Sequence, residues 1–450
     1  MSSSPHRRAE RAAQRRRQHT TPSQHGIAHY RRGIARQFMH MRLAGASAVA
    51  AFLAVLGPGL LAGLSDDDPA GITTYSMLGT DYGYQFLWVI PLSTLLLVQF
   101  HLLAVRIGAV SGLGFVGVVR SRWGLNAGYA AAAGLLVANL GTICAQYAGI
   151  AAAGSLLHIP VWLSASIAGI VISATVVRGS FPRVERILLV LASTLSLYIV
   201  DGVLAEPDWS QVVRGSLLPN MPHSPEAWIA IAATLGTTLA PWGLAFIQSY
   251  AVDKRITVAQ LRWERVEVIV GSALTGVIGL AIAVACAATL HRAGLHIDSA
   301  DDAAIALQPL AGSLAATLFG AALLGASLLG AAIVPLATSY SLAEAIGSQA
   351  SLGLDSHHYQ FFYAAFVVLT LFAVVAVSIP GVPLIRLMYL TQVINAVLLP
   401  LHVVALVVLE RDAQVMGALR SGSAARVLGW TSVVLIVACV AALGVSEMTR

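Results

Sequence analysis

Three consecutive aspartates, Asp66, Asp67 and Asp68, interrupt a long apolar stretch and are followed directly by Pro69. Carboxylates inside a membrane are rare and usually functional, and hard divalent cations prefer carboxylate oxygen as a ligand. The run therefore predicts a break in a helix, where carboxylates and freed backbone carbonyls meet a cation. A second interpretation stays open. Residues 44–64 alone are long enough to span a membrane, so Asp68 and Pro69 would then be an ordinary N-cap and first helical residue just outside it.

A second break is predicted at Pro241, after Ala240, within the apolar stretch 227–250. Proline lacks an N–H and clashes with the preceding turn, so the helix kinks or ends there. Two hydroxyl side chains precede the break, at Thr237 and Thr238, and are candidates to bind an ion or its waters. A pair of threonines in a membrane helix more often donates hydrogen bonds back to its own backbone. Interruptions at matching positions in two halves of five spans point to the ion site of a transporter.

Three further residues are candidates to line an ion pathway, namely Trp242, Gln392 and Asn395. Gln392 and Asn395 lie three apart on a predicted helix and hence share a face. A hydrogen bond between helices explains this pair equally well. We expect Glu344, near the end of another span, to cap a helix or pair with an arginine rather than to contact the ion.

The elements that position these residues are predicted to be membrane helices. Of the 450 residues, 57% are hydrophobic and 11% are charged, and the mean hydropathy is +0.77. An average soluble domain carries about 25% charged residues, so a soluble enzyme, a disordered protein and a coiled coil are excluded. Since a bilayer takes roughly 20 apolar residues per helix, we predict eleven spans. They lie near 44–80, 85–107, 127–152, 159–177, 185–205, 227–250, 266–290, 311–346, 360–379, 384–409 and 427–445.

The charges outside the spans predict the orientation. Residues 1–42 carry ten arginines and one acid, Glu10, which predicts a disordered basic tail in the cytoplasm. The loop 201–226 is acidic and includes Asp201, which places it outside. We expect an integral protein of the plasma (inner) membrane. The predicted organisation is a tail at 1–42, a first repeat at 43–205, an external loop at 206–226, a second repeat at 227–410 and an eleventh helix at 411–450.

Several short stretches, in order from residue 50 to about residue 410, resemble the Nramp divalent-metal transporters. The longest runs from Gly57-Pro58-Gly59-Leu60-Leu61 through Asp68-Pro69-Ala70-Gly71 to Gly83-Tyr84-Gln85-Phe86-Leu87-Trp88. Others are Arg106-Ile107-Gly108, Ile159-Pro160-Val161-Trp162, Glu206-Pro207-Asp208-Trp209, Ala287-Ala288-Thr289-Leu290-His291 and Ser341-Leu342-Ala343-Glu344-Ala345-Ile346-Gly347. The resemblance implies an all-α LeuT-type fold, a 5+5 inverted repeat with an appended eleventh helix.

The resemblance implies a metal-binding role for Asp68, where the family's DPGN motif has its aspartate. The asparagine of that motif falls on Gly71. The methionine and histidine of the family's MPH motif fall on Ala240 and Trp242. Two side-chain ligands of the family, an amide and a thioether, are therefore replaced by small residues.

The family's proton-linked acids on the third span are also replaced. By spacing they fall near Thr142 and Ala145, and the only strongly polar neighbour is Gln146. A pathway glutamine of the family falls at about Gln392. Without the acids, the resemblance favours transport that does not require a proton.

We therefore expect a transporter that imports Mg²⁺ or Mn²⁺ by alternating access, with Asp68 as the anchor and Asp67 or Asp66 behind it. A thioether favours softer metals, and an all-oxygen site suits Mg²⁺, which retains water. This pattern resembles the magnesium-transporting branch related to Nramp. The expected partners are the divalent ion as substrate and the lipid bilayer, with no nucleic acid, no cofactor and no obligate protein partner.

Three alternatives belong to other classes or branches. The first is a proton-coupled Mn²⁺/Fe²⁺ symporter of the Nramp type. The second is a sodium-coupled amino-acid symporter, in which the acidic run would repel the substrate carboxylate. The third is an intramembrane aspartyl protease, which needs two aspartates on separate helices. We expect no second aspartate deep inside another span, and the sequence contains no GxGD motif.

Overall fold

The structure is a computed structural model that describes residues 67–178, 197–221, 224–298, 302–303, 312, 315–348 and 360–448. The predicted basic tail, residues 44–64 and Asp66 lie outside the described residues, as does most of the predicted span 185–205. Every regular element within the described residues is a helix. This agrees with the predicted all-α class.

Eight described spans are long and apolar enough to cross a membrane. Many of their outward apolar side chains, such as Val368 and Leu401, are exposed, as expected of a surface that meets lipid. Together with the shorter apolar helix Val161–Val177, they correspond to every predicted span except the first and the fifth. The eight are Val89–Ser111, Leu125–Ser155, Pro225–Asp253, Val258–His291, Thr317–Ile346, Gln360–Val377, Leu384–Leu409 and Ser423–Val445.

The helices are numbered in chain order within the described residues. They are α1 (Pro69–Tyr82), α2 (Val89–Ser111), α3 (Phe115–Trp123), α4 (Leu125–Ser155), α5 (Val161–Val177), α6 (Leu197–Leu204), α7 (Trp209–Leu217), α8 (Pro225–Thr238), α9 (Pro241–Asp253), α10 (Leu261–Cys286), α11 (Ala315–Ile346), α12 (Gln360–Val377), α13 (Leu384–Leu409), α14 (Ala413–Met416) and α15 (Ser423–Met448).

Helices α1, α8 and α9 form the centre of the bundle. Helix α1 packs against α4, α8, α10 and α13. Glycine permits the close approach of neighbouring backbones. A Cβ atom at Gly79 would lie 2.1 Å from the carbonyl oxygen of Ala283, and one at Gly236 would lie 2.0 Å from that of Gln392. The helices that carry the candidate residues therefore meet backbone to backbone.

Glu344 caps a helix, as predicted. It lies near the end of α11, where its carboxylate accepts hydrogen bonds from the backbone N–H of Gly117 (3.0 Å) and from the hydroxyl of Ser249 (2.8 Å). These bonds join the start of α3 to α11 and α9. A Cβ atom at Gly114 would lie 1.8 Å from the carboxylate of Glu344, so a side chain there would displace this carboxylate.

Asp201 does not lie in a loop, contrary to the prediction. It belongs to α6 and is fully buried, and α6 packs along α10. A second buried aspartate therefore lies on another helix, which the sequence analysis did not expect. The apolar pattern assigned the charged residue to the end of its span, whereas the tertiary packing encloses it.

Candidate ion-binding site

Asp68 is a helix cap, as one of the two interpretations predicts, and it is also buried. It is the N-cap of α1, and its Oδ1 accepts a hydrogen bond of 2.7 Å from the backbone N–H of Gly71, with Pro69 as the first helical residue. It is also buried inside the bundle, with 3% of its surface exposed. The helix cap therefore lies in the protein interior rather than in an external loop. The N–H of Gly71 holds the Asp68 carboxylate at the start of the helix.

Gln146 of α4 contacts the other oxygen of this carboxylate. Its Nε2 donates a hydrogen bond of 2.6 Å to Oδ2 of Asp68. Gln146 is fully buried, and its carbonyl oxygen, Oε1, has no hydrogen-bond partner among the described residues. Sequence analysis noted Gln146 only as a polar neighbour, and the hydrogen bond to Asp68 gives it a place in the site.

Close packing holds α4 against α1 and α11 at this level. A Cβ atom at Gly149 would lie 2.4 Å from Cβ of Pro69 and 2.3 Å from the hydroxyl of Ser327. A Cβ atom at Gly330 would lie 2.0 Å from Oε1 of Gln146. The absence of side chains at these two glycines lets Gln146 reach Asp68.

Asp67 adds a second carboxylate next to the first. It is 1% exposed, and both of its carboxylate oxygens lack a hydrogen-bond partner within the described part of the chain. An unpaired carboxylate in the protein interior costs several kcal/mol. Two adjacent carboxylates make the region strongly attractive to a cation. Asp66, the third predicted ligand, is outside the described residues.

The second break lies where Pro241 predicts it. Helix α8 ends at Thr238 and α9 begins with Pro241, so Leu239 and Ala240 form the connection. The last four carbonyls of a helix lack an intrahelical partner, and the proline that opens α9 has no N–H to offer them. Ala240 contributes only a methyl group, and Trp242 is a fully buried side chain of α9.

The two threonines before this break differ from each other. The hydroxyl of Thr238 donates to the carbonyl of Thr234 (2.9 Å) and shares hydrogen bonds with Tyr75 of α1 (2.9 Å) and Ser93 of α2 (3.1 Å). It therefore ties α8 to its neighbours. The buried hydroxyl of Thr237 has no partner among the described residues, so it is the one left available to an ion or its waters.

Gln392 and Asn395 share a face of α13, as predicted. The amide of Asn395 donates to Oε1 of Gln392 (2.9 Å) and to the hydroxyl of Thr142 on α4 (3.0 Å). The contact with α4 is a hydrogen bond between helices, which was one of the two interpretations. Thr142, at a position where the family resemblance placed an acid, therefore serves to join α4 to α13.

Sequence analysis did not identify Met388, whose sulfur atom lies near α1. The hydroxyl of Thr73 donates to the carbonyl of Pro69 (2.8 Å) and also lies 3.9 Å from Sδ of Met388 on α13. A single methionine in an apolar helix looks like core packing, and only the tertiary structure brings it to the second turn of α1. Within the described residues, no group of three or more His, Cys, Asp and Glu side chains is placed to hold a metal.

A bundle of apolar helices, with a buried carboxylate at the start of one helix and a broken helix beside it, defines an integral membrane protein with the architecture of a secondary transporter. The family profile of the natural resistance-associated macrophage protein-like proteins (Nramp) matches residues 59–446. The chain therefore belongs to the Nramp family, in agreement with the resemblance of its motifs.

Solved structures share the fold. A manganese transporter from Eremococcus coleocola, solved in complex with an aromatic bis-isothiourea substituted compound, superimposes with a TM-score of 0.73 at 20% identity, over 88% of each chain. Mhp1, a nucleobase-cation-symport-1 family transporter, gives 0.54 at 15% identity over 87% of this chain and 92% of its own. MhsT in complex with L-phenylalanine gives 0.56 at 17% identity, over 86% and 98%. The LeuT-type fold is thereby confirmed.

Proposed function

We propose that this protein transports divalent metal cations across the membrane by alternating access, with Asp68 as the anchoring ligand. The observation that carries the proposal is the pair of buried carboxylates, Asp67 and Asp68, at the start of α1. When both carboxylates are ionised, their charge of −2 is matched by one divalent cation, whereas a monovalent cation leaves one buried charge uncompensated. Membership of the Nramp family and the likeness to a manganese transporter support the same conclusion.

The donor set favours a hard cation, Mg²⁺ or Mn²⁺. The side chains around Asp68 offer carboxylate and amide oxygen, and the break between α8 and α9 adds backbone carbonyls. Mg²⁺ is bound by one or two carboxylates and retains several waters. Selectivity for magnesium, as in the magnesium-transporting branch, is part of this proposal. The sulfur of Met388 is the group that argues for Mn²⁺, and a variant described below tests it.

We propose further that transport does not require a proton. Proton symport needs a titratable group along the route. The positions where the family resemblance placed two acids hold Thr142 and Ala145, and the side chain of α4 that contacts Asp68 is the amide of Gln146. The membrane potential alone supplies about 4.6 kcal/mol per 100 mV for two inward charges, which is sufficient for accumulation.

The alternatives make different predictions. A proton-coupled symporter of the Nramp type would acidify the vesicle lumen as metal enters. An intramembrane aspartyl protease is disfavoured by the missing GxGD motif and by the transporter fold, even though Asp201 is buried in a second helix.

Uptake into liposomes by the purified protein is the experiment that tests this proposal. Mg²⁺, Mn²⁺ and Ca²⁺ are supplied in parallel, with a pH dye in the lumen and a potassium diffusion potential that is negative inside. We expect divalent uptake that increases with the potential and no metal-dependent acidification. Uptake of no divalent ion would refute the function, and acidification that requires metal would refute the uncoupled mechanism.

A further inference from the structure

We propose that Gln146 is an ion-binding residue of this site, which supplies a carbonyl ligand from α4 and replaces a titratable group with an amide. The inference rests on the proposed function, since it concerns the same cation. It adds Gln146, a side chain of α4, to the groups that contact the ion at Asp68 and at the break between α8 and α9. It also gives this side chain a role in ion selectivity.

The first step of the argument is geometric. Nε2 of Gln146 lies 2.6 Å from Oδ2 of Asp68, and Oε1 shares the same amide carbon as Nε2. A rotation about the last side-chain bond therefore exchanges the two atoms without any movement of the backbone. A cation at the carboxylate repels the N–H₂ end of the amide and attracts the carbonyl end. The same residue thus holds Asp68 by donation and then coordinates the ion through oxygen.

The second step concerns the unsatisfied carbonyl. A buried acceptor without a hydrogen bond costs about 1–3 kcal/mol, and Oε1 of Gln146 is such an acceptor within the described residues. Amide carbonyl oxygen is an ordinary ligand of Ca²⁺ and other hard cations. Coordination of the ion, or of one of its waters, satisfies this atom. The carbonyl oxygen of Asn139 also lacks a partner among the described residues, so the contact with Asp68 is what distinguishes Gln146 from it.

The third step concerns the wall behind the amide. Gly330 of α11 leaves the space that Oε1 occupies, because a Cβ atom there would lie 2.0 Å from it. Helix α11 and Gln146 therefore form one complementary surface next to Asp68. A methyl group at position 330 would displace the amide while every side chain of the site stays the same.

The test uses the full-length protein in liposomes, with Mg²⁺, Mn²⁺ and Ca²⁺ as the probes. We expect Gln146→Ala to raise the KM for Mg²⁺ at least tenfold and to change the Mg²⁺ to Ca²⁺ uptake ratio at least threefold, since one protein ligand is replaced by water. Gly330→Ala should change both quantities in the same direction. Gln146→Glu keeps the length of the side chain and replaces the amide with a carboxyl against Asp68, so the KM and the ion ratio should again differ from those of the unmodified protein.

Two matched controls separate this role from packing. Asn139 is a fully buried amide two turns earlier on α4 and binds Thr338 of α11 (2.9 Å). Asn139→Ala should leave the KM and the ion ratio within twofold of the unmodified protein. Gly320→Ala adds a methyl group to α11 near the flexible side chain of Leu156 and should also be neutral.

The outcomes distinguish the inference from the proposed function. If Asp68→Asn abolishes uptake while Gln146→Ala and Gly330→Ala keep the original KM and ion ratio, the role of Gln146 is refuted and the transport site stands. If Asn139→Ala changes KM and ion ratio as much as Gln146→Ala does, α4 acts through packing and the inference also fails. If Gln146→Ala does not fold, Gly330→Ala and Gln146→Glu decide the question by the same two measurements.

Discussion

The replacement of Asp68 by asparagine tests the centre of the proposed site. Asparagine caps a helix about as well as aspartate, so the bond from the N–H of Gly71 and the start of α1 should persist. The amide keeps the shape of the carboxylate and removes its charge. The variant should therefore reach the membrane and elute as the unmodified protein does in detergent.

The loss of ion binding should be much larger than the structural cost. At 4 Å and an effective dielectric constant of 20, one pair of unit charges interacts with about 4 kcal/mol, so a divalent ion loses about 8 kcal/mol when one carboxylate is neutralised. Even half of that energy corresponds to about a thousandfold in affinity. The burial of Asp68 limits screening by solvent. We expect uptake in liposomes to fall below detection.

A matched control is provided by Asp208, which is the N-cap of α7 and accepts hydrogen bonds from Ser210 and Gln211. These bonds lower the pKa of this exposed carboxyl to about 2. Asp208→Asn removes the same charge from the same kind of helix cap outside the membrane, and it should leave uptake unchanged. Retention of half the uptake by Asp68→Asn, in a well-folded protein, would place the ion elsewhere and would mean that Asp68 is only a cap.

Four further predictions concern selectivity, coupling and stability. The double variant Gly71→Asn with Ala240→Met restores the two ligands implied by the family resemblance, and the Mn²⁺ to Mg²⁺ uptake ratio should rise because a thioether favours softer metals; an unchanged ratio would contradict the placement of the site. Met388→Leu should leave that ratio unchanged if oxygen alone selects the ion, and a lower Mn²⁺ share would make its sulfur a ligand. A pH dye should record no metal-driven acidification, and acidification that disappears in Asp68→Asn would return the protein to the proton-coupled mechanism. Glu344→Ala should lower stability in detergent by about 3–6 kcal/mol, because two hydrogen bonds to a carboxylate are lost, and an unchanged melting temperature would contradict this role.

The membrane class, the spans that the structure describes and the helix break at Pro241 follow from the sequence. A bilayer imposes one length and one polarity on every crossing helix, so apolar runs are read without knowledge of their neighbours. The break at Pro241 is equally local, since a missing N–H acts within one turn. The cap at Asp68 is local too, because the N–H of Gly71 lies three residues away.

The sequence predicted only some of the residues that surround Asp68. Gln146 and Met388 face the region of α1 because α4 and α13 pack there, and neither helix has a periodicity that distinguishes one buried face from another. Asp201 is a second example of a residue whose burial the sequence did not predict. Its place at the end of an apolar run suggested a loop, and only the packing of α6 against α10 encloses it.

The sequence by itself determined that this chain forms a bundle of membrane helices with a carboxylate at one break and a proline at another. Short-range chemistry is sufficient for this, since hydrophobic length, helix capping and the missing N–H of proline act over a few residues. Only the tertiary structure decided which residues share the interior with Asp68. That choice depends on how closely the helices approach, and glycines at positions 149 and 330 set the distances at which Gln146 meets the carboxylate.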